Sequence, residues 1–282
     1  VTTDGATTTP PRARPPGRPA AFFDLDKTII ATSSALAFSK SFYAGGLINR
    51  RSVLRSAYAQ FVFLAGGADH DQMEKMRAFL SQMVTGWPVD TVSELVNDTL
   101  HNIVEPLVYD EAVSLIEEHR LAGRDVIIVS ASGREMVEPI GAMLGVDAVI
   151  ASQLAVSEGR YTGEIDFYAY AENKATAMVD LAEERGYDLA RSYAYSDSIT
   201  DAAMLEAVGH PHAVNPDKEL RRLAVSREWP VLDFSRPVAL RSRMHLPESR
   251  STLAVLAAGS AVVVGSAIYL GARRRIDRLT HG

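Results

Sequence analysis

With 282 residues, 47% apolar and 23% charged, the chain has room for one large domain or a domain with a sizeable insertion, and its composition is not that of a disordered protein. A net charge of −6 gives no reason to expect broad nucleic-acid binding, which normally needs a basic face, so no nucleic-acid partner is expected. The absence of cysteine excludes disulfides and thiolate metal sites.

Residues 1–19 carry five prolines among Thr, Ala, Gly and Arg with no apolar run, and read as a Pro-rich disordered tail rather than a signal peptide. The run Ala-Ala-Phe-Phe that follows reads as a buried strand, yet it ends in two carboxylates, Asp24 and Asp26, with Thr28 behind them. Like charges that close repel and are costly to bury, so either this is a solvated turn or a cation sits beside it.

Residues 31–105 hold long helical patterns, starting SALAFSKSFYAGG and ending DTVSELVNDTLHNIV, punctuated by Gly45-Gly46, Gly66-Gly67 and Gly86-Trp87-Pro88. About four helices inserted after the first strand suggest a cap standing over a sheet. Arg50, Arg51, Arg55 and Lys75 in it are candidates for contacting an anionic substrate, although a solvated face accounts for each singly.

Beyond residue 105 the rhythm changes. Strand-like runs at 125–130, 191–196 and 212–216 alternate with helical patterns at 111–123, 133–145 and 172–186, each closing on a glycine suited to a helix C′ position. That alternation predicts an α/β fold, a Rossmann-like doubly wound parallel sheet with an inserted α-helical cap, over residues 20–235. The histidines show no ligand spacing; His210 and His212, placed in a loop, read as surface or structural groups, and Asn215-Pro216 as a turn.

After a linker at 236–250, residues 251–272 carry no charge. Twenty-two helical residues would span about 33 Å, enough for a C-terminal transmembrane helix, with 273–282 as a basic tail. Four arginines precede the span and four follow it, so the positive-inside rule is tied. The expectation is a cytoplasmic catalytic domain anchored to the cell membrane.

Ligands of open α/β sheets bind beyond the carboxyl ends of the strands. Asp24 and Asp26 follow the first strand, Ser130 closes the second strong one, and Asp197 follows the run ending at Ser196, with Asp201 four residues on. Lys174 lies near the start of the preceding helix. Four carboxylates against one lysine call for a hard divalent cation such as Mg²⁺, and the cation with Lys174 would draw in a phosphate. Thr28 and Ser130 could hydrogen-bond its oxygens, Asp24 could attack phosphorus, and Asp26 could protonate the leaving oxygen and then deprotonate water.

The ordered set DLDKT (24–28), VIIVSAS (126–132), Lys174 and SDSITD (196–201) resembles the haloacid dehalogenase superfamily of aspartate-nucleophile phosphatases, and the helical insert resembles the cap of its phosphoserine-phosphatase-like branch, subfamily IB. The resemblance implies that Asp24, the Asp26 carbonyl and Asp197 hold Mg²⁺ while Asp201 steadies Lys174 or a metal-bound water. It also exposes departures. Ser33 stands where phosphoserine phosphatases place a glutamate for the substrate's amino group, Ser-Ala-Ser replaces Ser-Gly-Gly in the second motif, and Ser196 replaces a glycine. Free phosphoserine is therefore a doubtful substrate. A small phosphorylated metabolite or a lipid-derived phosphate is expected instead. The rival readings are a phosphatase-like regulator with little turnover and, less well matched, a phospho-acceptor receiver domain.

Overall fold

In the computed structural model the described residues are 17–48, 84–235 and 237. Seven strands form one sheet in the order β4-β3-β2-β1-β5-β6-β7. They are β1 (Ala20–Phe23), β2 (Asp125–Gly133), β3 (Ala148–Ser157), β4 (Arg160–Phe167), β5 (Tyr193–Ser196), β6 (His210–Val214) and β7 (Val231–Leu232). All pairings are parallel except β3 with β4. β1 sits in the middle, its Phe23 level with Ile128 of β2 and Tyr195 of β5. Here the strand order reverses direction, which opens a crevice at the carboxyl edge.

Both faces are covered, which is why β1 and β2 are apolar without alternation. Phe22, Ile127, Val129 and Ala194 pack on one side with Met178 of α5 (Glu172–Arg185), Met204 and Leu205 of α6 (Ala202–Glu206) and Leu220 of α7 (Lys218–Ser226). Phe23, Val126 and Ile128 pack on the other with Ile116 of α3 (Asp110–Leu121) and Val137 and Ile140 of α4 (Arg134–Leu144). The glycine signals hold at the helix ends, since Gly145 and Gly186 close α4 and α5 in the left-handed conformation.

Two helices of the insert are described. α1 (Ser34–Ala44) and α2 (Val89–Ile103) join through Phe38, Phe42, Val92, Val96 and Leu100 in the same apolar cluster as Phe23. Arg50, Arg51, Arg55 and Lys75, with the two middle helical patterns, lie outside the described residues, as does the apolar span 251–272. Among the described residues no helix is long and apolar enough to cross a membrane.

Three strands escaped the sequence reading. β3 and β4 form a hairpin whose two turn residues, Glu158 and Gly159, both have positive φ, the geometry of a type I′ turn. β3 opens on a short apolar stretch, 148–151, that Ser152 and Gln153 interrupt, β4 mixes polar and apolar residues, and β7 is two residues long. His210 and His212 lie in strand β6 rather than a loop, with His212 stacked on Tyr195. Arg18, within the stretch read as tail, forms a two-pronged ion pair with Asp125 and lies over the Tyr187 ring.

Candidate active site

At the carboxyl edge, β1 delivers Asp24, β2 delivers Ser130 and β5 delivers Asp197, all buried. Lys174 is the third residue of α5 and only 3% exposed. Its Nζ donates to Asp24 Oδ1 at 2.6 Å and to Asp201 Oδ2 at 2.8 Å, which ties the first motif to the fourth. A lysine is tolerated at that depth because two carboxylates receive it. Burial alone would lower its pKa, but Asp24 and Asp201 override that and hold it firmly protonated. Asp201 therefore stands on Lys174, and Ser196 donates its hydroxyl to the same Asp201 Oδ2 at 2.7 Å. Ser196 is thus absorbed into the lysine's support.

The other carboxylates are less well served. Burial pushes Asp24 up to about 8, against the pull of Lys174 and with a further push from Asp201, Asp197 and Asp26. Asp197 is pushed up to about 7, again chiefly by burial, with Lys27 opposing. Burial also raises Asp26, opposed by hydrogen bonds from Ser34 and Ser132. Asp24 Oδ2 and both Asp197 side-chain oxygens take no hydrogen bond from the described residues. Thr28 is fully buried and its Oγ1 lacks a partner there. Ser130 Oγ accepts the Ser132 N–H at 3.2 Å, so its own proton is left to donate.

Carboxylates whose ionisation burial penalises, beside an orphaned hydroxyl, fit a site completed by a divalent cation and an anion. Among the described residues no three His, Cys, Asp or Glu side chains gather as a metal cluster. The expected set does not need one, since it uses two carboxylates and the Asp26 carbonyl, an arrangement that suits Mg²⁺.

Other groups contribute that the sequence reading missed. Ser34 and Ser132 both bond to Asp26, and Asp217 steadies the fourth motif. Asp217 Oδ2 accepts the Ile199 N–H at 2.9 Å, its Oδ1 caps α7, and its N–H donates to the Asp197 carbonyl at 2.8 Å. The Asn-Pro-Asp sequence ahead of a helix was the available signal for that cap. Asn215 shapes no part of the carboxylate cluster; its amide exchanges two hydrogen bonds with the Phe234 backbone. Ser33, at the position of the expected glutamate, accepts the Leu36 N–H as the N-cap of α1.

The sequence profile of the haloacid dehalogenase-like hydrolases matches residues 21–206. A Streptomyces azureus protein named for inhibition of morphological differentiation is 60% identical over 92% of this chain and 95% of its own length. A Mycobacterium tuberculosis protein named a probable phosphatase is 56% identical over 94% of this chain and 93% of its own. A Neisseria meningitidis histidinol-phosphatase is 30% identical over 76% of this chain and 98% of its own. Among solved structures, a Bordetella pertussis protein of unknown function has a TM-score of 0.69 at 27% identity, covering 77% of this chain and 99% of that one. A phospho-aspartyl intermediate analogue of phosphoserine phosphatase has a TM-score of 0.57 at 18% identity, covering 80% and 97%, a likeness of fold alone.

Proposed function

The chain belongs to the haloacid dehalogenase-like hydrolases as a phosphatase of that family, and on this premise we propose that it hydrolyses phosphate monoesters through an aspartyl-phosphate on Asp24. The observation that carries the reading is the Lys174 ammonium bridging Asp24 Oδ1 and Asp201 Oδ2. It fixes the Asp24 carboxyl while leaving Oδ2 free to attack.

Asp24 Oδ2 forms a bond to phosphorus as the bond to the leaving oxygen breaks, and Asp26 supplies the leaving oxygen with a proton. Asp26, now a carboxylate, takes a proton from the water that attacks the phosphoryl group, and Asp24 is released. Lys174, Thr28 and Ser130 hold the phosphoryl oxygens throughout. Mg²⁺, held by Asp24, Asp197 and the Asp26 carbonyl, would neutralise charge on those oxygens and keep the carboxylates ionised.

The substrate we propose is a small phosphorylated metabolite or a lipid-derived phosphate. Against phosphoserine stands Ser33, whose hydroxyl is engaged at a helix N-terminus and has no carboxylate to offer an ammonium group. A tether through residues 251–272 would hold the catalytic domain at the cytoplasmic face of the membrane. Carbonate extraction tests it: full-length protein stays with the membranes and a chain ending at 250 is released, whereas release of both refutes the tether.

The functional test is hydrolysis of p-nitrophenyl phosphate with Mg²⁺. Turnover lost on Asp24→Asn supports the enzyme. No turnover with any divalent metal favours instead a regulator that binds phosphate or partners, a role consistent with the name of the Streptomyces relative.

A further inference from the structure

Asp26 is held on both oxygens. The Ser34 N–H donates to Oδ1 at 2.9 Å and the Ser132 hydroxyl donates to Oδ2 at 3.1 Å. Ser34 is fully buried, and its hydroxyl donates to Ser132 Oγ at 2.7 Å. A hydroxyl has one proton to give, so with that of Ser132 committed to Asp26 the string has a direction, Ser34 to Ser132 to Asp26.

Ser132 reaches Asp26 because β2 is irregular there. Its pairing with β3 runs to Ser130 opposite Ala151 and resumes with Gly133 opposite Ser152, leaving Ala131 and Ser132 as extra residues. Bulges beside active sites re-aim side chains in this way. This one is fastened from behind: Ser152 Oγ donates to the Ala131 carbonyl at 2.7 Å and accepts the Ala169 N–H at 3.1 Å.

We propose that Ser132, backed by Ser34, is a positioning residue for proton delivery by Asp26. The two serines fix the plane of the Asp26 carboxyl so that its proton meets the leaving oxygen as the Asp24–phosphorus bond forms and the ester bond breaks. Ser34 opens α1, the first helix of the insert, so the chain's departure into the cap and the bulge of β2 hold this carboxyl jointly. The inference rests on the proposed role of Asp26.

The test compares kcat/KM for p-nitrophenyl phosphate and phenyl phosphate, esters of similar shape. Phenolate is the more basic leaving group and depends more on its proton. In Ser132→Ala, phenyl phosphate hydrolysis is expected to fall about 10- to 100-fold, within what a misplaced general acid forfeits, and p-nitrophenyl phosphate hydrolysis less than about 3-fold. Ser132→Thr, which keeps the hydroxyl, restores the phenyl phosphate rate. Ser34→Ala keeps the N–H to Oδ1 and gives the same pattern at smaller amplitude, which secures the test if Ser132→Ala folds poorly. An equal fall on both esters, no fall on either, or no recovery with threonine overturns the proposal. Failure of the underlying reading is distinct: the unaltered enzyme would turn over neither ester, or Asp24→Asn would turn over both, and either result removes this proposal as well.

Discussion

Replacing Lys174 by methionine keeps the length of the side chain and removes its charge. Lys174 is 3% exposed, and its ammonium makes two charge-assisted hydrogen bonds, 2.6 Å to Asp24 and 2.8 Å to Asp201. Taking one member from a buried charged network costs about 3–5 kcal/mol, because the partners are left unpaired. At about 2–4 °C per kcal/mol for a domain of this size, melting is expected to fall by roughly 10 °C at pH 8 without metal. The loss depends on pH with a definite sign. Asp24 and Asp197 are pushed up to about 8 and about 7, so the folded state binds more protons than the unfolded chain between about pH 4 and 8, and metal-free stability declines as pH rises across that range. Without Lys174 the decline steepens. At pH 5.5 the two carboxyls are neutral and the methionine variant loses less. Differential scanning fluorimetry at both pH values measures this, and added Mg²⁺ should recover part of the pH 8 loss. Equal losses at the two pH values, or none, would refute the picture of carboxylates held by Lys174.

Two further predictions concern the scaffold. Arg124 Nε donates to His119 Nδ1 at 2.7 Å, so the proton of neutral His119 lies on Nε2 and is given to the Tyr195 hydroxyl at 2.8 Å. Burial and then the Arg124 charge push its pKa down to about 4, so its contribution is complete above pH 6.5 and lost as pH falls toward 4. Urea titrations from pH 7 to 4 should show wild type losing up to about 3 kcal/mol relative to His119→Gln, and parallel curves would contradict it. Ala171 precedes α5 at φ 50° and ψ −126°, a conformation that suits glycine. Ala171→Gly should raise melting by about 2–4 °C, corresponding to about 1 kcal/mol of relieved strain, and a lower melting point would place the strain elsewhere.

The central sheet and the four motifs were legible because each rests on local chemistry. An apolar run cut off by a carboxylate gives β1, and a terminal glycine in the left-handed region gives the ends of α4 and α5. The hairpin β3–β4 was not legible, since its apolar stretch at 148–151 is short and broken by Ser152 and Gln153, and its identity rests on a Glu-Gly turn and on pairing across the sheet edge. The serines around Asp26 were hidden for a related reason. Ser132 meets Asp26 across 106 residues and Ser34 across 98, and only the bulge of β2 makes them neighbours. Ser33 was noticed for the glutamate it lacks, while its neighbour Ser34 makes the contact to Asp26.

The central claim is that Asp24 carries the phosphoryl group. Rapid acid quench of the enzyme mixed with Mg²⁺ and p-nitrophenyl phosphate, followed by mass spectrometry of its peptides, tests it most directly. The expected result is a hydroxylamine-labile phosphoryl adduct on the peptide containing Asp24, absent from Asp24→Asn. Turnover that persists in Asp24→Asn, or an adduct on another residue, would contradict the account.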